Sequence, residues 1–160
     1  MKTLVVYFSS SGNTESIAKM IADETNADIL QIKTVDTYSL SEDEVYSRCK
    51  DECESGYTPE IMPVSANIAD YDRIVIGTPT WWYTMAPAIL SFFKQTKLDG
   101  KEVVLYMTNA GWSGMVIKNM IAAAKGAKVI ATKEILFDAD GGNMMITPED
   151  EIKSWINSWK

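Results

Sequence analysis

Short apolar runs alternate with helix-period segments along this chain, and that alternation limits its fold more than any other feature. Leu4-Val5-Val6-Tyr7-Phe8 is continuously apolar and rich in β-branched and aromatic types, as a strand buried on both faces requires. Asp28–Lys33, Arg73–Gly77, Glu102–Met107 and Lys128–Ala131, the last continuing toward Leu136, repeat the pattern. Between them lie helical periods. Ile17, Ala18, Ile21 and Ala22 share one face, and a short helix is expected around Glu42–Glu54. Ala86–Gln95 has Pro87 in its first turn, and Ser113–Lys125 ends at Gly126. Thr147-Pro148-Glu149-Asp150 opens a last helix with Ile152, Trp155, Ile156 and Trp159 on one face. Strands alternating with helices predict a three-layer α/β fold, a parallel sheet with helices on both faces. Five strands without a dinucleotide fingerprint favour the order 2-1-3-4-5, with ligands bound beyond the strand C-termini where strands one and three meet.

With 160 residues the chain is expected to be one domain, residues 1–160. It has no apolar run near the roughly 18 residues of a membrane span. The N-terminus lacks the order of charges and apolar residues that marks a signal peptide, so a cytoplasmic setting is expected. A net charge of −7 argues against a nucleic-acid partner. Nearly all of that charge falls in residues 36–60, where eight acids outweigh Arg48 and Lys50. The segment reads as a solvated surface, or as a docking face for a basic partner. Cys49 and Cys53 lie four apart in this acidic stretch, which disfavours the reactive thiolate. Without histidine the chain lacks further ligands for zinc and the commonest acid–base catalyst near neutrality, so neither a metal site nor a catalytic residue is assigned.

The loop after the first strand is Ser9-Ser10-Ser11-Gly12-Asn13-Thr14: hydroxyls, an amide and a glycine, without a charge. This composition suits a backbone nest at a helix N-terminus, where free N–H groups and the helix dipole hold an anion. It equally suits an ordinary strand-to-helix turn with an N-cap. A P-loop is excluded because its lysine is missing, and a Gly-x-Gly-x-x-Gly fingerprint is absent.

Two further loops fall at the same end of the expected sheet. Thr78-Pro79-Thr80-Trp81-Trp82-Tyr83 follows the third strand, and its consecutive aromatics suit the covering of a flat ring system. One or two of them folding back into the core is the plainer alternative. Thr108-Asn109-Ala110-Gly111-Trp112-Ser113-Gly114 follows the fourth strand. Small residues there let backbone approach a ligand, Asn109 can read a heterocycle edge, and Trp112 adds a ring contact. An anion cradle, an aromatic wall and a polar edge together suit a flat heterocycle with a phosphate monoester. FMN is the leading candidate.

On these motifs, in this order and over nearly the whole chain, the sequence resembles the flavodoxin-like family. The resemblance implies a five-stranded flavodoxin-like fold and non-covalent FMN. It implies that Ser9, Ser10, Ser11, Gly12, Asn13 and Thr14 hold the phosphate, with hydroxyls from Ser9, Ser11 and Thr14. Pro79, Thr80, Trp81 and Trp82 are implied to flank the isoalloxazine, with Asn109, Ala110, Gly111 and Trp112 on its other border; Thr78, Tyr83 and Thr108 complete the two loops. Many electron-carrying flavodoxins have a glycine after the third strand, whose peptide flips to bond the singly reduced flavin. Thr78–Tyr83 has none. The chain is more similar to a branch with paired tryptophans and an acidic insert after strand two.

Two redox functions compete. The first is an FMN-dependent electron carrier, its acidic surface docking a reductase or acceptor protein and lowering the flavin potential. The alternative is an FMN-dependent oxidoreductase acting with NAD(P)H on small quinone-like acceptors; hydride transfer needs no protein nucleophile. A receiver-type signalling domain would need acids after the first strand, where this chain has Phe8-Ser9-Ser10.

Overall fold

A computed structural model describes residues 1–38 and 41–160; Ser39 and Leu40, in the polar stretch after the second strand, lie outside the described residues, as does the Glu42 side chain. The elements in chain order are β1 (Thr3–Tyr7), α1 (Asn13–Thr25), β2 (Asp28–Gln31), α2 (Glu42–Ser55), β3 (Arg73–Trp81), β4 (Thr84–Met85), α3 (Pro87–Gln95), β5 (Glu102–Asn109), α4 (Val116–Ala123), β6 (Lys128–Leu136) and α5 (Glu149–Trp159), with one 3₁₀ turn at Ile68–Asp70. Five parallel strands pair in the order β2-β1-β3-β5-β6, which is the expected 2-1-3-4-5 topology. The two-residue β4 is an addition, pairing antiparallel with the end of β3.

Alternation of side chains across the strands divides the core in two. Leu4, Val6, Ile74, Ile76, Val103 and Leu105 point to one face and pack with Ile89 and Phe92 of α3 and Val116 and Met120 of α4. Val5, Tyr7, Val75, Val104 and Tyr106 point to the other, against Ile17 and Ile21 of α1 and Ile152, Ile156 and Trp159 of α5. The apolar stripe expected on the last helix is therefore core. Among the described residues, no helix is long and apolar enough to cross a membrane.

Two boundaries differ from the sequence reading. The fourth long helix starts at Val116, not Ser113, because Gly111 (φ 113°) and Gly114 (φ 50°) turn the chain in left-handed steps before it. The third strand runs on to Trp81, because β4 gives its last residues an antiparallel partner at Thr80–Met85 and Trp81–Thr84. The acidic segment forms the helix expected around Glu42–Glu54. Its helix α2 begins with a capping box, Ser41 and Glu44 bonding each other's backbone N–H, and then lies against the end of β3.

Polar ties at the centre of the sheet position the loop that opens α1. Tyr106 is fully buried on β5 and its hydroxyl donates to the Thr14 carbonyl at 3.0 Å. Burial pushes that hydroxyl's pKa well up, so it stays a donor. The ring occupies the space above Gly77 of β3, where any Cβ would fall inside it.

Two predictions follow from this packing. Gly77→Ala should cost about 3 kcal/mol, because overpacking displaces Tyr106 and strands its hydroxyl. Tyr106→Phe should cost about 1 kcal/mol, since it removes the bond but keeps the ring; urea denaturation of both variants checks the pair. The second prediction concerns pH. Burial, aided by the Glu52 charge, raises the Cys49 thiol from 9.0 to about 11. Burial likewise raises Cys53 to about 12. The unfolded chain ionises these thiols first, so their contribution is intact below pH 9 and is lost as pH climbs through the folded values. The urea midpoint should decline above pH 9, and the Cys49→Ser/Cys53→Ser variant should decline less steeply.

Candidate functional site

The loops after β1, β3 and β5 meet beyond the strand C-termini, where a switch-point site is expected. At the first, Gly12 is the N-cap of α1 at φ 95° and makes no side-chain cap bond. That backbone suits glycine alone and argues against a conventional hydroxyl cap. Ser9 reaches forward instead: its Oγ accepts from the N–H of Gly12 at 3.1 Å and of Glu15 at 3.3 Å. The Asn13 and Thr14 amides, in the first turn, have no intrahelical acceptor. Ser10, Ser11 and Gly12 are exposed around them. The arrangement is an uncharged, donor-rich cup at the positive end of a helix dipole.

Two residues of this loop face elsewhere. Asn13 Nδ2 donates to the Gly142 carbonyl at 3.1 Å and ties the loop to the β6–α5 connection. Thr14 is buried, and its Oγ1 lies 2.8 Å from Thr108 Oγ1 on β5, either hydroxyl being able to donate. Thr14 and Thr108 thus fasten the cup to the sheet.

After β3 the chain makes a hairpin whose two turn residues are Trp82 (φ 43°) and Tyr83 (φ 64°). Consecutive positive φ values define a type I′ turn, which normally takes Asn-Gly. Two aromatics there carry strain of order 1 kcal/mol each. The β5–α4 loop and α4 brace the turn: Met115 N–H donates to the Tyr83 carbonyl at 2.8 Å, and Asn119 Nδ2 to Thr84 Oγ1 at 2.8 Å. Gly114 passes so close that a Cβ would lie 2.7 Å from Tyr83 Cα. At the base of the hairpin Thr78 is buried, its hydroxyl donating to the Pro79 carbonyl and accepting from Ala86 N–H, both at 2.9 Å. Thr78 shapes the hairpin and has no hydroxyl proton left for a ligand.

The two tryptophans diverge. Trp81 turns toward the core, edge-on to Phe8 at 5.3 Å and to Tyr38 at 5.0 Å. Trp82 turns outward, its indole N–H donating to Glu54 at 3.0 Å. Between Trp82 and the β5–α4 loop lies a slot of about 300 Å³, lined by Tyr46, Thr80, Trp82, Tyr83, Asn109, Ala110 and Trp112. Thr80 Oγ1 is buried there without a hydrogen-bond partner. Asn109 is partly committed, its Oδ1 accepting from Gly111 N–H at 2.7 Å and its Nδ2 set 3.2 Å from Met107 Sδ. It holds the Gly111 turn open at φ 113°. Trp112 stands at the mouth, edge-on to Tyr83 at 6.4 Å. The slot therefore collects Thr80, Trp82, Tyr83, Asn109, Ala110 and Trp112, while Pro79 lies beside it in β3 and Trp81 behind it.

Helix α2 supplies residues that sequence reasoning missed. Tyr46, Lys50 and Glu54, spaced four apart, share one helical face, and all three engage Trp82. Tyr38 OH donates to the buried Glu52 at 2.6 Å, and Arg48 Nε to the same carboxylate at 2.8 Å, which anchors the helix. Burial and the Glu52 bond push the Tyr38 hydroxyl far above its usual pKa, so it remains a donor. The regular spacing of Tyr46, Lys50 and Glu54 was the available signal. A larger cavity, about 680 Å³, lies away from the three loops, beside Met85, Leu90, Phe93 and Leu98. Among the described residues, no group of three or more His, Cys, Asp or Glu is placed to hold a metal.

Known proteins resemble this arrangement. A flavoprotein from Lactobacillus acidophilus, solved in complex with FMN, is 25% identical with a TM-score of 0.74, covering 96% of this chain and 97% of that one. A solved structure from Bacteroides uniformis, 24% identical, superposes with a TM-score of 0.82 over 98% of this chain and 97% of that one, a likeness of fold. An NAD(P)H dehydrogenase (quinone) from Chromohalobacter salexigens is 33% identical over 127 residues, 71% of this chain and 59% of the relative. The chain thus spans about three fifths of the length of that curated relative. The Flavodoxin family description matches residues 2–159, and with the strand order and the three loops in place, the chain belongs to the flavodoxin family.

Proposed function

We propose that this chain is an FMN-binding flavoprotein that transfers electrons, one cofactor-binding unit over residues 1–160. The observation that carries the reading is the buried, unpartnered hydroxyl of Thr80, a residue that lines an aromatic-walled slot beside an uncharged, donor-rich cup. A buried polar atom without a partner costs about 1–3 kcal/mol, so a ligand that bonds it recovers stability. The residues fit FMN. The Asn13 and Thr14 amides with the Ser10 and Ser11 hydroxyls would hold a phosphate monoester, Ser9 shaping the loop beneath them. Thr80 would bond the cofactor between the cup and the rings, and Trp82 and Trp112 would border the isoalloxazine. When bound, FMN would supply reversible one- and two-electron chemistry.

The chain's own residues do the rest. Trp82, clamped by Glu54 and Tyr46, excludes water from one side of the slot. Gly114 and Met115 hold the Tyr83 peptide in place. The exposed acids Asp43, Glu44 and Asp51 on the outer side of α2 give a basic redox protein a surface to dock on. A second reading, direct reduction of small quinone-type acceptors by NAD(P)H, is favoured by the mouth of the site. Tyr46, Tyr83 and Trp112 are 59%, 49% and 67% exposed there, a ring-binding rim that a carrier serving only proteins does not need.

Titration of the apoprotein with FMN should give one-to-one binding with quenched flavin fluorescence. Thr80→Val, which keeps the side-chain shape, should weaken FMN about tenfold while leaving apoprotein stability equal or higher, since it deletes an unpaired hydroxyl. Equal FMN affinity in this variant would remove Thr80 from the site. For the second reading, anaerobic NADPH or NADH should bleach the FMN-loaded protein; unchanged absorbance leaves the carrier reading alone.

A further inference from the structure

The cavity of about 680 Å³ beside α3 reaches α4 and the end of α2, and it shares no lining residue with the ring slot or the first loop. The function proposed above leaves it unused, although its volume is that of an ordinary small-molecule site. Buried Met85, Phe93 and Leu98 form its floor. Pro87, Leu90 and Lys94 follow one another along one face of α3. From α4 come only Asn119, Ala122 and Ala123, short side chains that leave the space open. The apolar lining is mostly aliphatic, and the Met85 thioether adapts readily to shape. That suits a flexible chain better than a flat ring.

One end of the cavity is basic. Lys94 lies in the last turn of α3, Lys97 just beyond it and Lys125 just beyond α4; all three are exposed and line the cavity. The Gly100 N–H donates to the Gly126 carbonyl at 2.9 Å, which draws the segment after α3 to the end of α4 and brings these lysines to the same end. Among the described residues, none of them forms an ion pair with a carboxylate. Glu52 also lines the cavity, but its carboxylate is committed to Tyr38 and Arg48. Asp99 and the half-charges of two helix C-termini offset part of the lysine charge and leave that end net positive. On a chain of net charge −7 this is a local reversal of sign. Pro87 to Lys94 spans about 10 Å of helix, so a chain can lie over Leu90 with an anionic head at the lysines.

We propose that this cavity binds a free medium-chain carboxylate, with its chain over Met85, Leu90 and Phe93 and its carboxylate among Lys94, Lys97 and Lys125. Selection is double: a short carboxylate lacks the chain, and a cationic amphiphile has the wrong head. The site is separate from the proposed flavin site and does not depend on it.

The test follows the isotope-labelled methionine methyl signals of the FMN-loaded protein by NMR during addition of decanoate, Met85 being identified by its loss in Met85→Leu. The Met85 signal should shift and saturate with one decanoate per chain. Decyltrimethylammonium should bind about tenfold more weakly or worse, and acetate should leave Met85 unmoved. The Lys94→Gln/Lys97→Gln/Lys125→Gln variant should weaken decanoate about tenfold. Ala122→Phe, which fills the cavity from α4, should do the same, and both should hold FMN affinity within about twofold. If Ala122→Phe fails to fold, Ala122→Leu serves in its place. A Met85 signal that decanoate leaves unmoved overturns the proposal, as does equal affinity for decyltrimethylammonium or in the triple lysine variant. Equal, unsaturating shifts at the exposed Met62, Met115 and Met144 would mean adsorption to apolar surface and overturn it too. A wild-type protein that stays colourless in FMN defeats the function proposed above and not this site; decanoate added to the apoprotein then decides the cavity by the same Met85 signal.

Discussion

The position of the first loop depends on a small polar knot buried under it. Tyr106 donates to the Thr14 carbonyl and Thr108 shares a hydrogen bond with the Thr14 hydroxyl, so two residues of β5 hold the start of α1 from below. Both bonds are buried, where an unmet partner would cost more than a met one contributes, and this makes the knot intolerant of slippage. Gly77 is part of it, because the Tyr106 ring fills the space its missing side chain leaves. The knot sets the height of the first loop relative to β3 and β5.

The hairpin after β3 is the second determinant, and it works by a different principle. Trp82 and Tyr83 occupy left-handed backbone that neither residue favours. The turn persists because neighbours over-determine it: Met115 holds the Tyr83 carbonyl, Gly114 leaves it room, Asn119 bonds Thr84, and Glu54 of α2 bonds the Trp82 indole. A glycine would reach this geometry without strain but would offer no ring and little resistance to flipping. The chain gains a fixed aromatic wall beside the slot, at a conformational cost met by these neighbours.

Much of the fold was legible in the sequence. Strands buried on both faces announce themselves as unbroken apolar runs, and Val5, Val75 and Val104 alternate with Leu4, Ile74 and Val103 as a two-sided sheet requires. The stretch from Ser9 to Thr14 was readable as the turn between a strand and a helix, though its composition suited an N-cap as well as an anion cradle. What the residues could not reveal was how each polar group is spent. Thr78 and Asn109 have the right chemistry for a ligand, yet the backbone takes up much of it. Trp81 and Trp82 are adjacent and chemically alike, but Trp81 ends β3 and meets Phe8, whereas Trp82 stands in the turn and reaches Glu54. Nothing local signalled the type I′ turn, since it arises from tertiary bracing and not from the Asn-Gly chemistry that marks such turns. The acidic segment was read by its charge; its position came from Tyr46, Lys50 and Glu54, whose shared face meets Trp82.

The proposed function requires that one end of the sheet, and not the larger cavity beside α3, receives the cofactor. Amide and indole NMR signals of the isotope-labelled apoprotein, followed during addition of FMN, test it residue by residue. The largest shifts are expected at Ser10–Glu15, at the Thr80 amide, at the Trp82 and Trp112 indoles and at Gly111, all saturating at one equivalent. Shifts centred on Met85, Leu90, Phe93 and Leu98 would contradict it, as would a spectrum that FMN leaves unchanged.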